Sequence, residues 1–195
     1  MPKIVDHNQF RGKLLEGSFK LFSQKGYANV TIRSIAQEIG VSTGSLYHYF
    51  KNKEAILEQM FAYIQQRTFG EYLRRIDGID DLDERLRMIT DYWKIHMSEY
   101  QDLMLLAIDY YRHHGRSKRA RKIFNDFATY YIHVFSETFQ ITPASAETLS
   151  TYFVGIVWNS LLAPDIFSLN NHINFLAGYI VEAMKSADPR PGLHR

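Results

Sequence analysis

The chain has 195 residues, 46% of them hydrophobic, with 23 Lys and Arg against 21 Asp and Glu and no cysteine. This length suffices for one domain, or for a small domain joined to a larger one, with a core that needs no cross-links. The absence of cysteine excludes disulfide scaffolds, thiolate metal sites and cysteine nucleophiles. Residues 1–8 contain no apolar core of signal-peptide length, and no apolar run in the chain approaches the roughly 20 residues of a membrane span. The sequence therefore predicts a soluble, cytoplasmic protein that does not enter a membrane.

The net charge of +2 is unevenly distributed. Residues 1–53 contain eight Lys or Arg and three acidic residues, a net charge of +5, whereas the remainder carries −3. This asymmetry indicates a polyanionic partner for the first segment alone. Charge by itself favours a basic surface that only contacts solvent. The sequence motif within this segment is therefore needed to distinguish such a surface from one that binds a polyanion.

Apolar residues recur at helical spacing between glycines and prolines, and no stretch shows the alternation of a strand. The first helices are predicted over residues 8–25, 31–40, 42–50 and 52–76. Gly26 has the position of a C′ glycine, and Thr31 and Asn52 are favourable N-caps. Five longer helices are predicted over residues 82–100, 102–113, 117–139, 143–163 and 171–185. Residues 187–195 are expected to form a frayed tail, and the predicted fold is all-α.

Residues 31–50 have the layout of a helix-turn-helix. A short helix ends at a glycine, a tight turn follows, and the second helix begins with the small polar residues Ser42, Thr43, Gly44 and Ser45. Small side chains at this position let the backbone approach base edges in a major groove, and the free N–H groups can face a phosphate. The segment therefore predicts binding to double-stranded DNA.

A set of residues across three successive predicted helices resembles the N-terminal domain of TetR-family transcriptional regulators. The set comprises Leu14, Leu15, Gly17, Ser18, Leu21, Phe22, Lys25, Gly26, Tyr27, Thr31, Arg33, Ile35, Ala36, Gly40, Val41, Ser42, Gly44, Leu46, Tyr47, Tyr49, Phe50, Lys53 and Glu54. The resemblance covers about residues 10–61 and does not extend to the rest of the chain. Gly17 and Ser18 depart from the two alanines that are frequent in the family.

The resemblance implies a homodimer with an N-terminal three-helix helix-turn-helix DNA-binding domain, residues 1–52, and a larger helical effector-binding and dimerisation domain, residues 53–195. Each DNA-binding domain would bind one half of a palindromic operator, and a small organic effector would change the spacing of the two. The DNA-binding candidates are Thr31, Arg33, Ser42, Thr43, Gly44, Ser45, Tyr47, His48, Tyr49 and Lys53.

Their chemistry indicates a division of roles. Thr31, Tyr47 and Lys53 are expected to hold phosphates. Base edges are the expected partners of Thr43, Ser45 and His48. Arg33 suits either role, and Tyr49 either packs or points into the groove.

An effector cavity is predicted among residues 82–100, 102–113, 117–139 and 143–163. The aromatic-rich composition there suits an apolar or aromatic organic molecule, with a few polar groups to orient it. The candidate lining residues are Trp93, His96, Asp109, Tyr110, Phe127, Tyr131, Phe153 and Asn159. The histidines show no ligand spacing, so neither a metal nor another cofactor is expected.

Dimerisation is predicted through about residues 143–163 and 171–185, which combine apolar stripes with small residues and suit a four-helix bundle. Val157 and Ile180 are expected at the seam, the contact between the helices of the two subunits. The chain has no Gly-rich phosphate loop, nucleophile elbow or catalytic carboxylate pair, which argues against an enzyme. A constitutive DNA-binding protein, or a helical adaptor without an effector, remains the alternative.

Overall fold

The computed structural model describes residues 7–115 and 117–187. Within these ranges it contains helices and no strand, which confirms the all-α prediction. The helices are α1 (His7–Lys25), α2 (Ile32–Ile39), α3 (Thr43–Tyr49), α4 (Lys53–Ile76), α5 (Leu82–Ile95), α6 (Met97–His114), α7 (Lys118–Phe139), α8 (Pro143–Leu162) and α9 (Leu169–Ala187). None of the helices in the described ranges is both long and apolar enough to span a bilayer. The predicted tail over residues 187–195 falls, beyond Ala187, outside the described residues.

The chain forms two compact units. The first unit is Met1–Arg75 with Leu105–Ile123, and the second unit is Ile76–Met104 with Phe124–Arg195. The predicted division between residues 52 and 53 stays a prediction.

In the first unit α1 packs on α2, and α2 packs on α3. A Cβ atom at Gly17 would lie 2.6 Å from Cγ1 of Ile39, so this glycine allows the close approach of α1 and α2. The neighbouring Ser18 is fully buried, and its hydroxyl donates to the carbonyl of Leu14 at 2.6 Å. The small Gly17–Ser18 pair therefore serves tight helix packing, and an alanine at position 17 would collide with Ile39.

In the second unit α8 and α5 both pack on α9. Its core is strongly aromatic: the ring of Trp93 lies 4.8 Å from that of Phe153 and 6.3 Å from that of Phe135. These residues come from α5, α8 and α7, so this core is assembled from segments that are distant in the sequence.

The structure corrects two predicted boundaries. The sequence placed a helix break between residues 100 and 102, whereas α5 ends at Ile95 and α6 begins at Met97. His96 leaves the helical conformation with φ −95° and ψ 8°, and its amide still donates to the carbonyl of Tyr92. No glycine or proline marks this break, and the apolar spacing continues across it. At the other correction, α9 begins at Leu169, two residues before the predicted start, and ends at Ala187, two residues after the predicted end.

Candidate functional site

Local hydrogen bonds fix both ends of α2. The Thr31 hydroxyl accepts from the Ser34 amide at 3.1 Å, and the Ser34 hydroxyl accepts from the Thr31 amide at 2.9 Å. At the other end Gly40 has a φ of 76°, and the Val41 amide donates to the carbonyl of Ala36 at 2.9 Å. Glycine adopts this left-handed conformation without strain, so the chain can leave α2 and enter α3 within a short turn.

The second helix of this motif, α3, is capped and anchored in the same local way. The Ser42 hydroxyl accepts from the Ser45 amide at 3.0 Å, and the two serine hydroxyls lie 2.9 Å apart. Leu46 and Phe50 are fully buried and hold one face of α3 against the unit. The opposite face is therefore free to meet a partner.

The exposed face of α2 and α3 carries most of the predicted DNA contacts. Thr43, Gly44 and His48 are exposed, as is Arg33 on α2, and Tyr47 is 58% exposed. The structure thus brings these side chains to the surface of two packed helices that meet at a tight turn. Their roles toward DNA stay predictions.

Gly44 lies where the sequence predicts a close backbone approach. A Cβ atom there would have Ser42 Oγ at 3.6 Å as its nearest neighbour, an ordinary van der Waals contact. The protein's own packing therefore does not require glycine at this position, which leaves the approach of a partner as a reason for it.

Tyr49 is half-buried and packs on α1. Its hydroxyl lies 2.9 Å from Nδ1 of His7, and its ring lies 5.6 Å from that of Phe10. Of the two roles that the sequence left open for Tyr49, this geometry favours packing. His7 itself was missed by the sequence reasoning, because it precedes the resemblance that begins at about residue 10.

Lys53 is half-buried, and its ammonium group is already engaged within the protein. It donates to the carbonyls of Tyr27 and Val30, at 2.8 Å each, and lies 4.1 Å from the centre of the Tyr27 ring. Burial lowers the pKa of the Lys53 ammonium group, against the opposing influence of Glu54 and Asp109. The phosphate contact predicted for Lys53 stays untested, but these bonds give the side chain a structural use.

The sequence of this helix-turn-helix segment matches a known family. Residues 14–60 match the family described as bacterial regulatory proteins, tetR family. Over this segment the chain is similar to TetR-family regulators.

Among the curated relatives is the HTH-type transcriptional repressor KstR2 of Mycobacterium tuberculosis. It is 34% identical to this chain over 80 residues, which are 41% of this chain and 40% of that protein. The chain thus spans well under half the length of the curated relatives it matches. The matched proteins are transcriptional regulators rather than enzymes, in agreement with the sequence.

Solved structures share the fold over almost the whole chain. A TetR-family protein from Rhodococcus sp. has a TM-score of 0.72 at 21% identity and covers 91% of this chain and 99% of its own. A protein from Saccharomonospora viridis, solved in complex with choline, has a TM-score of 0.62 at 19% identity and covers 90% and 97%. At such low identity these likenesses show the fold alone.

The predicted effector residues of the chain fall into both units. Trp93, His96, Phe127, Tyr131, Phe153 and Asn159 lie in the second unit. The rings of Phe127 and Tyr131 are 5.2 Å apart, and burial together with Tyr130 and Glu99 raises the pKa of the Tyr131 hydroxyl. His96 Nδ1 lies 3.4 Å from a Glu99 carboxylate oxygen. Trp93, Phe127, Tyr131 and Phe153 therefore belong to one aromatic cluster, joined through Phe135, with the Glu99 carboxylate near the Tyr131 hydroxyl.

The other two candidates, Asp109 and Tyr110, lie in the first unit. The Tyr27 amide donates to the Asp109 carboxylate at 2.7 Å, and the Tyr110 ring meets the Tyr27 ring edge-on at 4.9 Å. Both residues therefore hold the segment that precedes α2. Their proposed effector role remains untested, and the structure gives them a different one.

A cavity of about 500 Å³ lies between α8 and the start of α9. Its lining includes Tyr152, His172 and Phe167, and the Tyr152 hydroxyl lies 2.8 Å from His172 Nδ1. Of the predicted effector residues, Asn159 alone lines it. Among the described residues no group of three His, Asp or Glu side chains is arranged to hold a metal ion.

Proposed function

We propose that this chain is a homodimeric transcriptional repressor of the cytoplasm. It binds a palindromic DNA operator and is released by a small apolar or aromatic effector. The observation that carries the proposal is the exposed face of α3, where Thr43, Gly44, Tyr47 and His48 stand opposite the buried Leu46. KstR2, a relative within this domain, is named as a repressor, which supports the direction of regulation.

Selection of random duplexes on the purified chain tests DNA binding directly. We expect enrichment of a palindrome whose half-sites are about 34 Å apart, or a multiple of this. At that spacing the DNA-binding domains of the two subunits face the same side of the duplex. His48→Ala and Ser45→Ala should change the base preference, since these side chains are proposed to reach base edges. If no motif is enriched, the proposal is wrong.

Dimerisation through α8 and α9 is supported by apolar side chains that the chain leaves exposed there. Val154, Trp158 and Leu162 follow each other at intervals of four along α8, and Phe175 is exposed on α9. A Cβ atom at Gly155 or Gly178 would meet nothing within 4 Å, so a second helix can approach closely at either position. Exposed apolar residues of this number on adjacent helices are typical of a protein interface.

The seam residues expected from the sequence need correction. Val157 and Ile180 are 3% and 0% exposed within the single chain, so they belong to the core of the second unit. A charge at either position would disrupt that core and would not isolate the dimer contact. The exposed stripe beside Val157 supplies the appropriate variants.

The effector response is supported by the aromatic cluster in the second unit and by a structural neighbour of the same fold that holds choline. To release DNA, an effector must bind the conformation that does not fit the operator more tightly. α4 follows α3 directly, and we propose that a change in its tilt upon effector binding alters the distance between the α3 helices of the two subunits. Reciprocity then requires operator DNA to weaken effector binding by the same factor.

The effector response is tested by titrating candidate compounds with and without the selected duplex. Different affinities in the two titrations support induction by that compound, and equal affinities exclude it. A chain whose operator affinity responds to no bound compound would instead be the constitutive DNA-binding protein of the alternative.

A further inference from the structure

The turn between α1 and α2 is held from both sides by charged side chains. On one side, the Tyr27 amide donates to the Asp109 carboxylate of α6 at 2.7 Å. Gly26 precedes it with a φ of 75°, and a Cβ atom there would lie 3.1 Å from the same carboxylate oxygen. Glycine therefore serves both the left-handed backbone and the close seat of Asp109.

On the other side of the turn, Lys53 in the first turn of α4 donates to the carbonyls of Tyr27 and Val30 at 2.8 Å each. Within the turn, the Val30 amide reaches the Tyr27 carbonyl only at 3.4 Å. Lys53 therefore gives the Tyr27 carbonyl a shorter hydrogen bond than the turn itself does, and it also bonds the Val30 carbonyl. Its ammonium group also lies over the Tyr27 ring, whose own position is fixed by the rings of Phe22 and Tyr110.

We propose that Lys53 and Asp109 are positioning residues of the helix-turn-helix, which together fix the Gly26–Val30 turn and thereby the start of α2. In this role the Lys53 ammonium group bonds to the protein's own carbonyls and does not contact a DNA phosphate. Because Val30 directly precedes the N-cap Thr31, a shift of the turn would displace α2 and, through it, α3. The inference rests on the proposed function only where DNA is the readout.

Lys53 and Asp109, with the Gly26–Val30 turn that they hold, are called the clamp. Hydrogen exchange in the DNA-free protein tests the clamp without reference to DNA. Lys53→Met keeps an apolar stem against Tyr27 and removes both donors, and Asp109→Ala removes the acceptor. We expect amides in the segment 26–31 to exchange about tenfold faster in each variant, since each change removes hydrogen bonds to a charged group. Asp109→Asn keeps an acceptor oxygen and should retain most of the protection. Amides of α8 provide the reference for global stability.

Unchanged exchange in the segment 26–31 of Lys53→Met and Asp109→Ala would overturn the clamp. Exchange that rises equally in α8 would also overturn it, because the effect would then be general destabilisation. These outcomes remain meaningful even for a chain that binds no DNA, so failure of the clamp is distinguishable from failure of the proposed function.

The salt dependence of DNA affinity separates positioning from phosphate contact. A duplex of random sequence is the probe, and Lys51→Met is the matched control because Lys51 is an exposed lysine two residues away. We expect Lys53→Met to weaken binding with an unchanged slope of log affinity against log salt. A slope reduced by about one unit in Lys53→Met would show a phosphate contact and overturn the proposal.

Discussion

The helix-turn-helix of the first unit differs from the core of the second unit in how far apart along the chain the contacting residues lie. Thr31, Ser42 and Asn52 each accept a hydrogen bond from the amide three residues ahead, at 3.1, 3.0 and 2.8 Å. In the second unit Asp81 and Thr142 cap helices in the same way, but the core brings together Trp93 and Phe153, which are 60 positions apart. The first region is therefore readable from short sequence patterns, whereas the second depends on packing between distant segments.

The two regions also differ in what they expose. α3 presents small or polar side chains with Tyr47, whereas α8 presents a stripe of Val154, Trp158 and Leu162. The first surface suits a hydrated, charged partner, and the second suits another apolar surface. The comparison therefore predicts that DNA binding and self-association can be lost separately.

Two matched core substitutions should have the largest effects and test this separation. Leu46 on α3 and Leu149 on α8 are both fully buried. We expect Leu46→Ala and Leu149→Ala each to lower the free energy of unfolding by about 2–5 kcal/mol, because each leaves a cavity. Leu46→Ala should lose DNA binding and still self-associate in sedimentation, whereas Leu149→Ala should weaken self-association. The conservative control Leu46→Met should cost less than about 1.5 kcal/mol. Loss of both activities in both variants would contradict the comparison.

Trp158 should contribute the next largest effect, on the dimer. The chain has two tryptophans, and Trp93 is buried in the second unit, so Trp93→Phe leaves Trp158 as the sole indole emitter. On dilution, the emission of Trp158 should shift to the red as the indole becomes solvated. Trp158→Ala should weaken self-association by about 2 kcal/mol or more, a value typical of central interface tryptophans. Emission that stays constant while sedimentation shows dissociation would place Trp158 outside the interface.

The residues at this interface show why the body was harder to predict than the helix-turn-helix. The apolar residues of α8 lie on two faces: Ile156 and Val157 face the core, while Val154 and Trp158 face outward. Spacing alone does not say which face a helix buries within its own chain, and so Val157 was assigned to the seam. The break at His96 escaped prediction for a similar reason, because Tyr92 and Trp93 before it and Leu103 after it are all buried.

The site was predictable where the backbone itself requires a residue type. Gly40 was expected at the end of α2 and has the left-handed φ that glycine tolerates. The clamp at Tyr27 was not predictable, since Asp109 is 82 positions away and no local pattern links them. Sequence motifs thus outlined the proposed DNA-binding face, whereas the side chains that pack behind it were found only in the three-dimensional structure.

Gly44→Ala should have a moderate effect that is confined to DNA binding. Nothing in the protein obstructs a methyl group there, so the free energy of unfolding should stay unchanged or rise by up to about 1 kcal/mol. The affinity for the selected duplex should fall about tenfold, because the methyl group would block the close backbone approach. Gly17→Ala is the control with the opposite expectation, lower stability, since its Cβ would collide with Ile39. Unaltered DNA affinity in Gly44→Ala would remove Gly44 from the proposed interface.

The smallest effect concerns two carboxyl groups, one in each unit, whose pKa values are shifted in opposite directions. Burial of Glu54 in the first unit acts to raise its pKa. Its own backbone amide, the Tyr27 hydroxyl and Arg119 act in the opposite direction and outweigh burial, so the pKa of Glu54 is lowered. Burial, reinforced by Glu99, raises the pKa of Asp102 in the second unit. Ionisation therefore favours the folded state at Glu54 and opposes it at Asp102.

These shifts predict opposite pH dependences for the matched variants Glu54→Gln and Asp102→Asn. The stabilisation from Glu54 is present above its ordinary pKa of 4.5 and is lost as the pH falls through the lowered folded pKa, so Glu54→Gln should be less stable than wild type at pH 7 and approach it in acid. The stabilisation from protonated Asp102 is full below 3.8 and is lost as the pH rises through the raised folded pKa. Asp102→Asn should therefore be more stable than wild type at pH 7, and its advantage should disappear in acid. Urea unfolding of both variants and wild type between pH 3 and 7 measures the two differences, and variants whose offsets from wild type are independent of pH would contradict the assignment.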